Sequence, residues 1–573
     1  MSLTHNMRQW RFLWPSVVWL SLLVTSARAA TNVVTTLADS GPGSLRQVIF
    51  NSVSGDTIRF TTNGTITLAN GRLLIQKDLH IVGPGAASLA VSGNGATRVF
   101  QIASNLTVSI SGLTIRDGKL LSDHGGGLYN SGNATLRDCV FTGNRSSDGL
   151  NGADGVVYPT PGSSDGSPGG NGWNGGGIYN LGTLTLSNCL LTANFAGSGG
   201  NGGNAGRPRI TSSSNGGNAG NAGHGGAIYT SGTLVLSNCT IAGNRAGTGG
   251  IGGVAVPLTP GCNGGAGAGG YGGGIYKAGG AVRLAACTFS ENRAGDDGTP
   301  RVNLCGLYPP QNASGGSGGA IAGGSTGTLF AVACTFSGNS TGHGTYDSFF
   351  NFYSGGNGGV ITGGGTFSLC TFSGNGAYNN GGAFYSGDPP LLTSCTMVNN
   401  SARSGGGVFG PAIFRNCLIV DNSPDDSSSY TSQWTNIVSS TNDMRLGPLA
   451  DNGGPTLTHA LLPGSPALEA GDDTLAGTDQ RGRPRRSGAH VDIGAYEFTT
   501  PTFTLVRMLA NGALTLTMVS EIPFSVVANP DVTEESSQWT YLGPARAMGA
   551  GVYEFTDTNL THNPYRFYRL RWP

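Results

Sequence analysis

Apolar and polar residues alternate in short runs along most of the chain. The stretch GGAIYTSGTLVLSNCTIAGN at 225–244 is typical, because Leu234 and Leu236 lie two residues apart and Cys239 and Ile241 repeat the same step. Since alternate residues of a strand face opposite sides, each run predicts a short strand with one buried face. The pattern therefore predicts an all-β protein.

This stretch is one of eight related repeats. In every copy a cysteine precedes an asparagine by five positions, and the residue two after the cysteine is large and apolar. The pairs are Cys139 with Asn144, Cys189 with Asn194, Cys239 with Asn244, Cys287 with Asn292, Cys334 with Asn339, Cys370 with Asn375, Cys395 with Asn400, and Cys417 with Asn422. The two-residue step places each cysteine on the inward side of its strand and each asparagine at the following turn.

The spacing of the repeats indicates a solenoid. Successive repeat cysteines are 50, 50, 48, 47, 36, 25 and 22 residues apart, and the last values approach the unit without its inserts. A unit that small cannot bury its own apolar face, so neighbouring units must stack. Stacked strands form a parallel β-helix advancing about 4.8 Å per coil, and roughly eleven to thirteen coils make a rod of some 50–60 Å.

Within such a rod the repeat cysteines form one column. A single column cannot surround zinc tetrahedrally. Parallel side chains also keep their Cβ atoms further apart than the roughly 3.8 Å that a disulfide prefers. We therefore expect a ladder of buried thiols that act as small hydrophobic groups, and a second ladder of stacked asparagine amides.

Several motifs resemble known bacterial families. The GGA[IVL] and FxxN elements, as at 225–228 and 336–339, resemble the repeats of chlamydial polymorphic outer-membrane proteins and related surface β-helices. The stretch DSGPGSLRQVI at 39–49 is similar to the N-terminal cap of such proteins. The stretches LGPLADNGGPTLTHALLPGSPALEAGDD, QRGRPRR and VDIGAYEF within 446–498 resemble the choice-of-anchor Q domain. The resemblance implies an exported right-handed β-helix of the pectate-lyase type, and it implies no particular activity.

These features divide the chain into five parts. We predict a signal peptide at 1–29, an N-terminal cap at 30–56, a parallel β-helix with glycine-rich inserts at 57–445, and a choice-of-anchor Q-like C-terminal cap at 446–498. Six short strand patterns separated by turns predict a small β-sandwich at 499–573. The inserts leave from equivalent turns and gather along one side of the rod, either as loose surface loops or as an ordered binding face.

The repeat columns show no adjacent pair of carboxylates of the kind that catalytic β-helices usually assemble on neighbouring coils. Asp138 is followed by Asn188 one coil later, and Asp421 follows Asn399. A hydrolase or lyase site would therefore need acidic residues of the inserts, namely Asp148, Asp154, Asp165, Asp296, Asp297 or Asp347. GHG triplets around His224 and His343 resemble those of pectin-hydrolase families, but the companion NTD motif is absent. The inserts also lack the periodic aspartate of calcium-binding glycine-rich arrays.

Two further features bear on binding and stability. An aromatic residue follows the glycine-glycine-x-apolar step in six repeats, at Tyr129, Tyr179, Tyr229, Tyr276, Tyr385 and Phe409. Alternation places these rings outside, either as a stabilising ladder or as a platform for glycans. The two remaining cysteines, Cys262 and Cys305, lie in successive inserts, and a disulfide between them is plausible after oxidising export.

The first residues are typical of export. Arg8 and Arg11 precede an apolar stretch at 12–24 and the small-x-small pattern of Ala27 and Ala29, and no later segment approaches the roughly 20 apolar residues of a membrane span. Removing 1–29 takes three arginines and no acidic residue, which changes the formal charge from 0 to 28 minus 31, or −3. Nucleic acid is therefore not an expected partner.

These observations predict a secreted or cell-surface protein that binds a polysaccharide, a cell-surface glycan or another cell, without a cofactor or metal. Two alternatives remain open at this point. One is a polysaccharide lyase or glycoside hydrolase with its site in the long inserts, and the other is a purely structural spike. The sequence leaves the oligomeric state undetermined.

Overall fold

The computed structural model describes residues 29–573 apart from 158–163, 208–213, 257–260, 300–312, 324–327, 345, 348–351, 354, 434, 439–442, 476, 500, 521–523, 535–537, 550–551, 559–565 and 572–573. The predicted signal peptide at 1–29 lies outside the described residues except for Ala29.

Three long parallel sheets, named A, B and C, form a β-helix. Sheet A has thirteen strands: Thr31–Val34, Asp56–Phe60, Leu79–Val82, Thr107–Ser111, Asn133–Arg137, Thr183–Ser187, Thr233–Ser237, Val282–Ala285, Leu329–Val332, Thr366–Ser368, Leu391–Thr393, Ile413–Arg415 and Thr431–Gln433. Sheet B has twelve: Gly64–Thr67, Leu89–Ser92, Thr114–Arg116, Val140–Thr142, Leu190–Thr192, Thr240–Ala242, Thr288–Ser290, Thr335–Ser337, Thr371–Ser373, Thr396–Val398, Leu418–Val420 and Ile437–Val438. Sheet C has ten: Leu73–Ile75, Phe100–Ile102, Leu128–Asn130, Ile178–Asn180, Ile228–Thr230, Ile275–Lys277, Ile321–Gly323, Ile361–Thr362, Phe384–Tyr385 and Val408–Phe409. The predicted parallel β-helix is confirmed.

The alternation of the sequence explains why each strand has one buried face. In Thr183–Ser187, Leu184 and Leu186 are fully buried, and they pair in register with Leu234 and Leu236 of the next coil. The same register repeats from coil to coil, so identical or similar side chains stack in columns inside the solenoid. The rings of Phe289, Phe336 and Phe372 accordingly stack at 5.0 and 5.1 Å.

Three corners per coil join the sheets, and two of them contain residues with a left-handed backbone. Around one coil these are Asn188 between sheets A and B, with a φ of 53°, and the residues that border the connections between sheets B and C, namely Gly175 before sheet C and Ala193 after sheet B, with φ of 66° and 50°. Glycine, asparagine and aspartate tolerate this conformation best. This explains the polar columns noted in the sequence, because Asp138 and Asp421 also occupy left-handed corners, with φ of 53° and 58°.

The segment 446–498 packs against the outer face of sheet B over its last coils. The outward Val398, Leu418 and Val420 form one apolar cluster with residues of this segment and its approach, including Met444, Leu461, Ile493 and Tyr496. Buried Gln480 anchors the segment further along, because its amide nitrogen donates to Thr335 Oγ1 at 2.9 Å and its Oε1 accepts from Thr371 Oγ1 at 2.6 Å. The segment predicted as a cap therefore lies along the flank of the solenoid.

The C-terminal part is the predicted β-sandwich. One sheet has four strands, Thr502–Met508, Leu514–Val519, Arg546–Gly549 and Val552–Asp557, and the other has three, Ser525–Asn529, Thr540–Pro544 and Phe567–Arg571. Buried Leu516 and Met518 from the first sheet share one core with Val526 from the second. The two sheets therefore enclose a common apolar layer, and this part of the predicted fold is also confirmed.

The remaining elements are small. The helix Leu45–Asn51 begins at Ser44, whose hydroxyl accepts from the backbone nitrogen of Gln47. Two hairpins pair Leu446–Ala450 with Thr458–Leu461 and Tyr346–Asp347 with Phe352–Tyr353. Within the described part of the chain, no helix has the length and apolar character that crossing a membrane requires.

Candidate functional site

The glycine-rich inserts form an ordered bundle on one side of the β-helix. Each of the four longest inserts has an outgoing segment, at 147–157, 197–207, 247–256 and 295–299, and a returning segment, at 164–174, 214–224, 261–271 and 313–317. Hydrogen bonds link outgoing segments to one another and returning segments to one another, and further bonds join the two layers. The described residues of the inserts are therefore packed and hydrogen-bonded, and they do not form loose surface loops. We call these eight segments the glycine bundle.

A three-residue period governs the glycine bundle. Gly149 and Gly152 donate to the carbonyl oxygens of Ser198 and Asn201 in the next outgoing segment, at 2.8 and 2.7 Å. Gly170 donates to Leu150 across the two layers at 2.7 Å. A repeat of three residues without hydrogen bonds inside each segment is the geometry of a polyproline II helix. The two layers are therefore sheets of extended helices rather than of β-strands.

Glycine is required where neighbouring segments meet. A Cβ atom at Gly200 would lie 2.0 Å from the carbonyl oxygen of Leu150, and one at Gly197 would lie 1.7 Å from that of Ser147. Both distances are far inside van der Waals contact, so a side chain would force the segments apart. The glycine that makes the inserts resemble disordered sequence is thus the basis of their close packing, as in collagen.

Asparagine side chains form regular columns on the exposed side of the returning layer. The Oδ1 atoms of Asn215, Asn218 and Asn221 accept from the backbone nitrogens of Cys262, Gly265 and Ala268, at 2.9, 2.8 and 2.9 Å. All three side chains are exposed, and their amide nitrogens have no hydrogen-bond partner among the described residues. Each amide is therefore oriented by its oxygen and presents its NH2 group to solvent, at steps of about 9 Å along the segment.

The returning segments lead directly into the tyrosine column of sheet C. The rings of Tyr129, Tyr179, Tyr229 and Tyr276 are half-buried, and successive centroids are 5.2, 4.7 and 5.4 Å apart. Because the rings stack on one another, their faces are largely covered and their edges and hydroxyl groups are left to meet a ligand. The predicted column is interrupted by Ala322 and Thr362 and resumes at Tyr385 and Phe409, which stack at 5.7 Å.

Two histidines extend the aromatic column toward the glycine bundle. His124 stacks on Tyr179 at 4.2 Å, and His224 stacks on Tyr276 at 4.5 Å. Nδ1 of His124 accepts from the backbone nitrogen of Asn174 at 2.9 Å, and Nδ1 of His224 accepts from that of Tyr271 at 3.0 Å. Burial lowers the pKa of His224 to about 4 and also lowers the pKa of His124, so both rings are neutral at physiological pH.

The hydroxyl group of Tyr179 is also protonated at physiological pH. Burial, together with the neighbouring Tyr229 and Tyr129 rings, raises the pKa of Tyr179 to about 12. The described residues at 214–225 and 261–272 contain no lysine, arginine, aspartate or glutamate. These two returning segments are consequently uncharged and rich in hydrogen-bonding groups, whereas the first returning segment contains one carboxylate, Asp165.

All eight repeat cysteines are buried free thiols in the core. Each sulfur lies near the carbonyl oxygen two residues earlier, for example 3.3 Å from Ser187 for Cys189 and 3.3 Å from Ser237 for Cys239. Complete burial raises the pKa of Cys370 and Cys417, which keeps these thiols protonated. Their surroundings are those of small packing groups.

The repeat asparagines form a continuous buried ladder. In chain order its rungs are Asn144, Asn194, Asn244, Asn292, Asn339, Asn375, Asn400 and Asn422. The Nδ2 of each rung donates to Oδ1 of the next at 2.8 to 3.0 Å, and the last rung donates to Asp426 Oδ1 at 2.8 Å. The structure thus brings all eight predicted residues together as stacked amides.

A second, shorter ladder lies inside sheet C. It joins Asn130, Asn180 and Thr230 through side-chain hydrogen bonds of 2.8 and 3.0 Å. Sequence reasoning missed this ladder. The signal was present, because each member follows an outward aromatic residue and alternation would have placed it inside.

The acidic residues that a hydrolytic site would need in the inserts are used to hold the backbone. Oδ1 of Asp148, Asp154 and Asp165 accepts from the nitrogens of Ser198, Asn204 and Asn215, at 2.8, 2.6 and 2.6 Å. Asp296 likewise accepts from His343 at 2.6 Å. Asp297 donates its backbone nitrogen to the carbonyl of His343 at 3.0 Å, and the side chain of Asp347 lies outside the described residues.

Other candidate groups are also structural. Within the described residues neither His224 nor His343 is hydrogen-bonded through its ring to a carboxylate, and no cluster of three histidine, cysteine or acidic side chains is arranged to hold a metal ion. Nε2 of His459 lies 2.9 Å from Ser373 Oγ, and this bond joins the 446–461 hairpin to sheet B. His459 lines a cavity of about 400 Å³, but Ser373 does not, so the pair does not face a common binding space. Cys262 is disulfide-bonded, and Cys305 lies outside the described residues.

Comparison with known proteins finds distant structural similarity alone. No protein-family model matches the chain, and no curated protein sequence matches it. A pectin methylesterase from Erwinia chrysanthemi is 12% identical over 61% of this chain and 79% of its own, with a TM-score of 0.23. A mannuronic acid-specific family 6 polysaccharide lyase from human gut microbiota is 8% identical over 70% and 83%, with a TM-score of 0.28. An α-1,3-glucanase from Streptomyces thermodiastaticus is 11% identical over 71% and 68%, with a TM-score of 0.25. At these identities and TM-scores the similarity gives no information about activity. The assignment of the fold depends on the strand pairing of this protein itself.

Proposed function

We propose that this protein is an exported polysaccharide-binding protein, and that the returning layer of the glycine bundle, with the adjoining tyrosine column, is its binding face. The observation that carries the proposal is the set of exposed asparagine amides whose oxygens are fixed by backbone nitrogens and whose NH2 groups are free, as at Asn218. Donors held in place before binding lose little conformational entropy when they engage a ligand. Sugar hydroxyl oxygens are acceptors that such donors fit.

The charge of this face favours a neutral polysaccharide. Residues 214–225 and 261–272 carry no ionised side chain at physiological pH, since His224 remains neutral. The described returning segments contain no lysine or arginine, so an anionic polysaccharide would find no cation there, and their one carboxylate is Asp165 in the first insert. Repeated neutral donors along both the segments and the coils suit a ligand that is itself a repeating chain.

The tyrosine column would contribute hydroxyl groups and ring edges rather than ring faces. Its rings stack at 4.7 to 5.4 Å, so no sugar ring can insert between Tyr179 and Tyr229 without breaking their contact. We therefore expect binding to depend more on Asn218 and Asn221 than on any one tyrosine. Export and display at the cell surface are parts of the proposal that rest on the predicted signal peptide.

The experiment is a binding panel with a matched set of variants. Purified protein is incubated with insoluble and soluble neutral polysaccharides, and both retention and product release are measured. The test variant carries Asn215→Asp, Asn218→Asp and Asn221→Asp, because aspartate keeps the oxygen that caps the next backbone nitrogen, as Asp165 does in the first insert. It removes the NH2 donors and adds charge, so we expect retention to fall by about tenfold or more.

The control carries the same exchange in the outgoing layer, at Asn201 and Asn204, whose oxygens also cap backbone nitrogens. We expect this variant to bind like the natural protein. Equal loss in both variants would contradict the assignment of the binding face. New reducing ends or unsaturated products would instead establish the hydrolase or lyase alternative. If the protein neither retains nor degrades any polysaccharide, the purely structural spike is favoured.

A further inference from the structure

Asp56 is a buried carboxylate at the N-terminal end of the β-helix. It is 3% exposed and is the first residue of the second strand of sheet A, Asp56–Phe60. Its Oδ1 accepts from the backbone nitrogen of Ala30 at 2.8 Å. Its Oδ2 accepts from the backbone nitrogen of Val53 at 2.9 Å and from Asn32 Nδ2 at 2.8 Å. The carboxylate thus receives three hydrogen bonds, and all three donors are uncharged amides.

This carboxylate is ionised, but no cation contacts it among the described residues. Hydrogen bonds from the backbone nitrogens of Val53 and Ala30 lower the pKa of Asp56. The nearby Lys77 also lowers this pKa, but its ammonium group donates to the carbonyl oxygen of Phe50 at 2.7 Å. Because a buried carboxylate without an opposite charge is costly, a cation in contact with Asp56 would stabilise this end of the fold.

The hydrogen bond from Ala30 lies at the predicted processing site. The small-x-small pattern of Ala27 and Ala29 predicts that a signal peptidase cleaves the peptide bond between Ala29 and Ala30. Hydrolysis of this bond consumes one water molecule and leaves a carboxylate on Ala29 and an ammonium group on Ala30. The nitrogen that donates to Asp56 as a neutral amide would then carry a positive charge.

The surroundings of Ala30 suit an ammonium group. Ala30 is exposed, so the two additional N–H bonds can be solvated while the third keeps its contact with Asp56 Oδ1. The residue is also held in place, because its carbonyl oxygen accepts from the backbone nitrogen of Thr57 at 2.8 Å. Since charge-assisted hydrogen bonds are roughly twice as strong as neutral ones, cleavage would strengthen a contact that is already formed.

The strand that follows Ala30 forms the N-terminal edge of sheet A. This strand, Thr31–Val34, pairs in parallel with Asp56–Phe60, and Val34 is its one buried residue. A terminal strand of four residues with one buried side chain is the part of a sheet where local unfolding begins. An ion pair at the residue before this strand therefore acts where the β-helix opens most easily.

We propose that Asp56 accepts the α-ammonium group of Ala30, and that removal of residues 1–29 fixes the first strand on the β-helix by forming this ion pair. Before cleavage the contact is a neutral hydrogen bond, and the strand opens more often. Processing during export thus completes the N-terminal end of the fold. This inference rests on the export part of the proposed function and is independent of polysaccharide binding.

The test begins with the full chain, secreted by a bacterium, and with mass spectrometry of the released protein. We expect the released chain to begin at Ala30. A second form has one glycine inserted between Ala29 and Ala30, which keeps the small-x-small pattern and moves the ammonium group one residue away from Asp56. Hydrogen exchange at the backbone nitrogen of Thr57, which donates to Ala30, reports opening of the strand. We expect exchange to be about tenfold faster in the glycine form.

Asp56→Asn separates the ion pair from other effects of the inserted glycine. Asparagine keeps an oxygen that can accept from Ala30 but carries no charge, so the insertion should then change exchange at Thr57 by less than about twofold. Any general loss of stability in Asp56→Asn is common to both forms and cancels in the comparison. The matched control is Asp78→Asn, because Asp78 Oδ1 accepts from the backbone nitrogen of Thr107 at 2.7 Å. The tenfold effect of the insertion should persist in this variant.

Three results would overturn the proposal. They are a chain that is not cleaved or that begins at a residue other than Ala30, equal exchange at Thr57 with and without the inserted glycine, and an undiminished effect of the glycine in Asp56→Asn. Both forms should be retained equally by a polysaccharide. A failure of retention would therefore contradict the proposed binding function and leave the ion pair between Ala30 and Asp56 unaffected.

Discussion

Nδ1 of His224 lies 3.0 Å from the backbone nitrogen of Tyr271 and accepts its hydrogen. The acceptor role requires this nitrogen to be unprotonated, and burial lowers the pKa of the ring from 6.5 to about 4. The unfolded chain binds a proton at this histidine below pH 6.5, whereas the folded chain does not until about pH 4. Acid therefore favours unfolding across this window.

We expect the stability of the bundle to fall as pH decreases from about 6.5 to 4, by up to about 3 kcal/mol from His224. His224→Asn should reduce this dependence, because Asn174 occupies the same position one coil earlier and accepts from the backbone nitrogen of His224 at 2.7 Å. Urea unfolding at a series of pH values measures the effect. Identical pH profiles for the natural protein and His224→Asn would contradict the prediction. The pH dependence of stability that remains in the variant should come from His124, whose pKa is also lowered by burial.

The buried asparagine ladder should respond sharply to the loss of one rung. The side chain of Asn194 donates to Asn244 Oδ1 and to the carbonyl of Phe141 at 2.9 and 3.0 Å, and it accepts from Asn144 Nδ2 at 3.0 Å. Asn194→Ala removes these three bonds, although Asn144 Nδ2 keeps its bond to the Ile115 carbonyl and Asn244 Oδ1 keeps its bond from the backbone nitrogen of residue 194. Since each buried hydrogen bond contributes about 1 kcal/mol, we expect a loss of about 3 kcal/mol in the free energy of unfolding.

Asn133→Ala is the matched control for the ladder. Asn133 lies outside on a strand of sheet A and is exposed, so its removal should change the free energy of unfolding by less than about 0.5 kcal/mol. Urea titration of both variants followed by circular dichroism gives the comparison. Similar midpoints for Asn194→Ala and the natural protein would mean that the ladder does not contribute to stability.

The cysteine column should be inert toward thiol reagents. All eight repeat cysteines are at most 2% exposed, so a water-soluble disulfide reagent can reach them only after the solenoid opens. We expect no reaction of the folded protein within minutes and full reaction in concentrated guanidinium. Thr248→Cys, at an exposed position of the bundle, should react at once and serves as the positive control. Rapid labelling of the unmodified protein would show that the column is accessible.

Much of the β-helix could be predicted because its rules are local and repeat. The two-residue apolar step places Cys189 and Leu191 inside by strand geometry alone. The constant cysteine-to-asparagine spacing identifies the equivalent part of each coil. The acidic corner residues were harder to interpret, because Asp138 and Asp421 suit either a catalytic column or a left-handed turn. The backbone φ values distinguish these, and a single sequence does not contain them.

The order of the inserts could not be predicted for a physical reason. A polyproline II helix has no internal hydrogen bonds and no apolar periodicity, so its sequence resembles that of a flexible linker. What orders Gly200 is the carbonyl oxygen of Gly170 in another insert, which it meets at 2.8 Å. Glycine does recur every third residue in stretches such as GGNGGNAG. That period indicates ordered packing only when neighbouring inserts, which are 27 to 30 residues long, contact one another.

Gly200→Ala tests whether packing between inserts, rather than glycine flexibility, orders the bundle. The new Cβ atom would lie 2.0 Å from the carbonyl oxygen of Leu150, which belongs to the rigid backbone of the first insert and cannot move independently. We expect the outgoing segments around 150 and 200 to separate, with faster hydrogen exchange at Gly220, whose nitrogen donates to the carbonyl of Gly200 at 2.8 Å. Sheets A, B and C should keep their protection, because each coil pairs independently of its insert.

Gly243→Ala is the control that isolates packing from backbone conformation. Gly243 has a φ of 62°, but a Cβ atom placed there would meet no described atom within 4 Å, and Ala193 already occupies the equivalent corner of the preceding coil with a φ of 50°. The cost should be about 1–2 kcal/mol of local strain, without faster exchange in the bundle. If Gly200→Ala instead leaves exchange at Gly220 unchanged, close contact between segments is not what orders the inserts, and the amide face loses its rigid support.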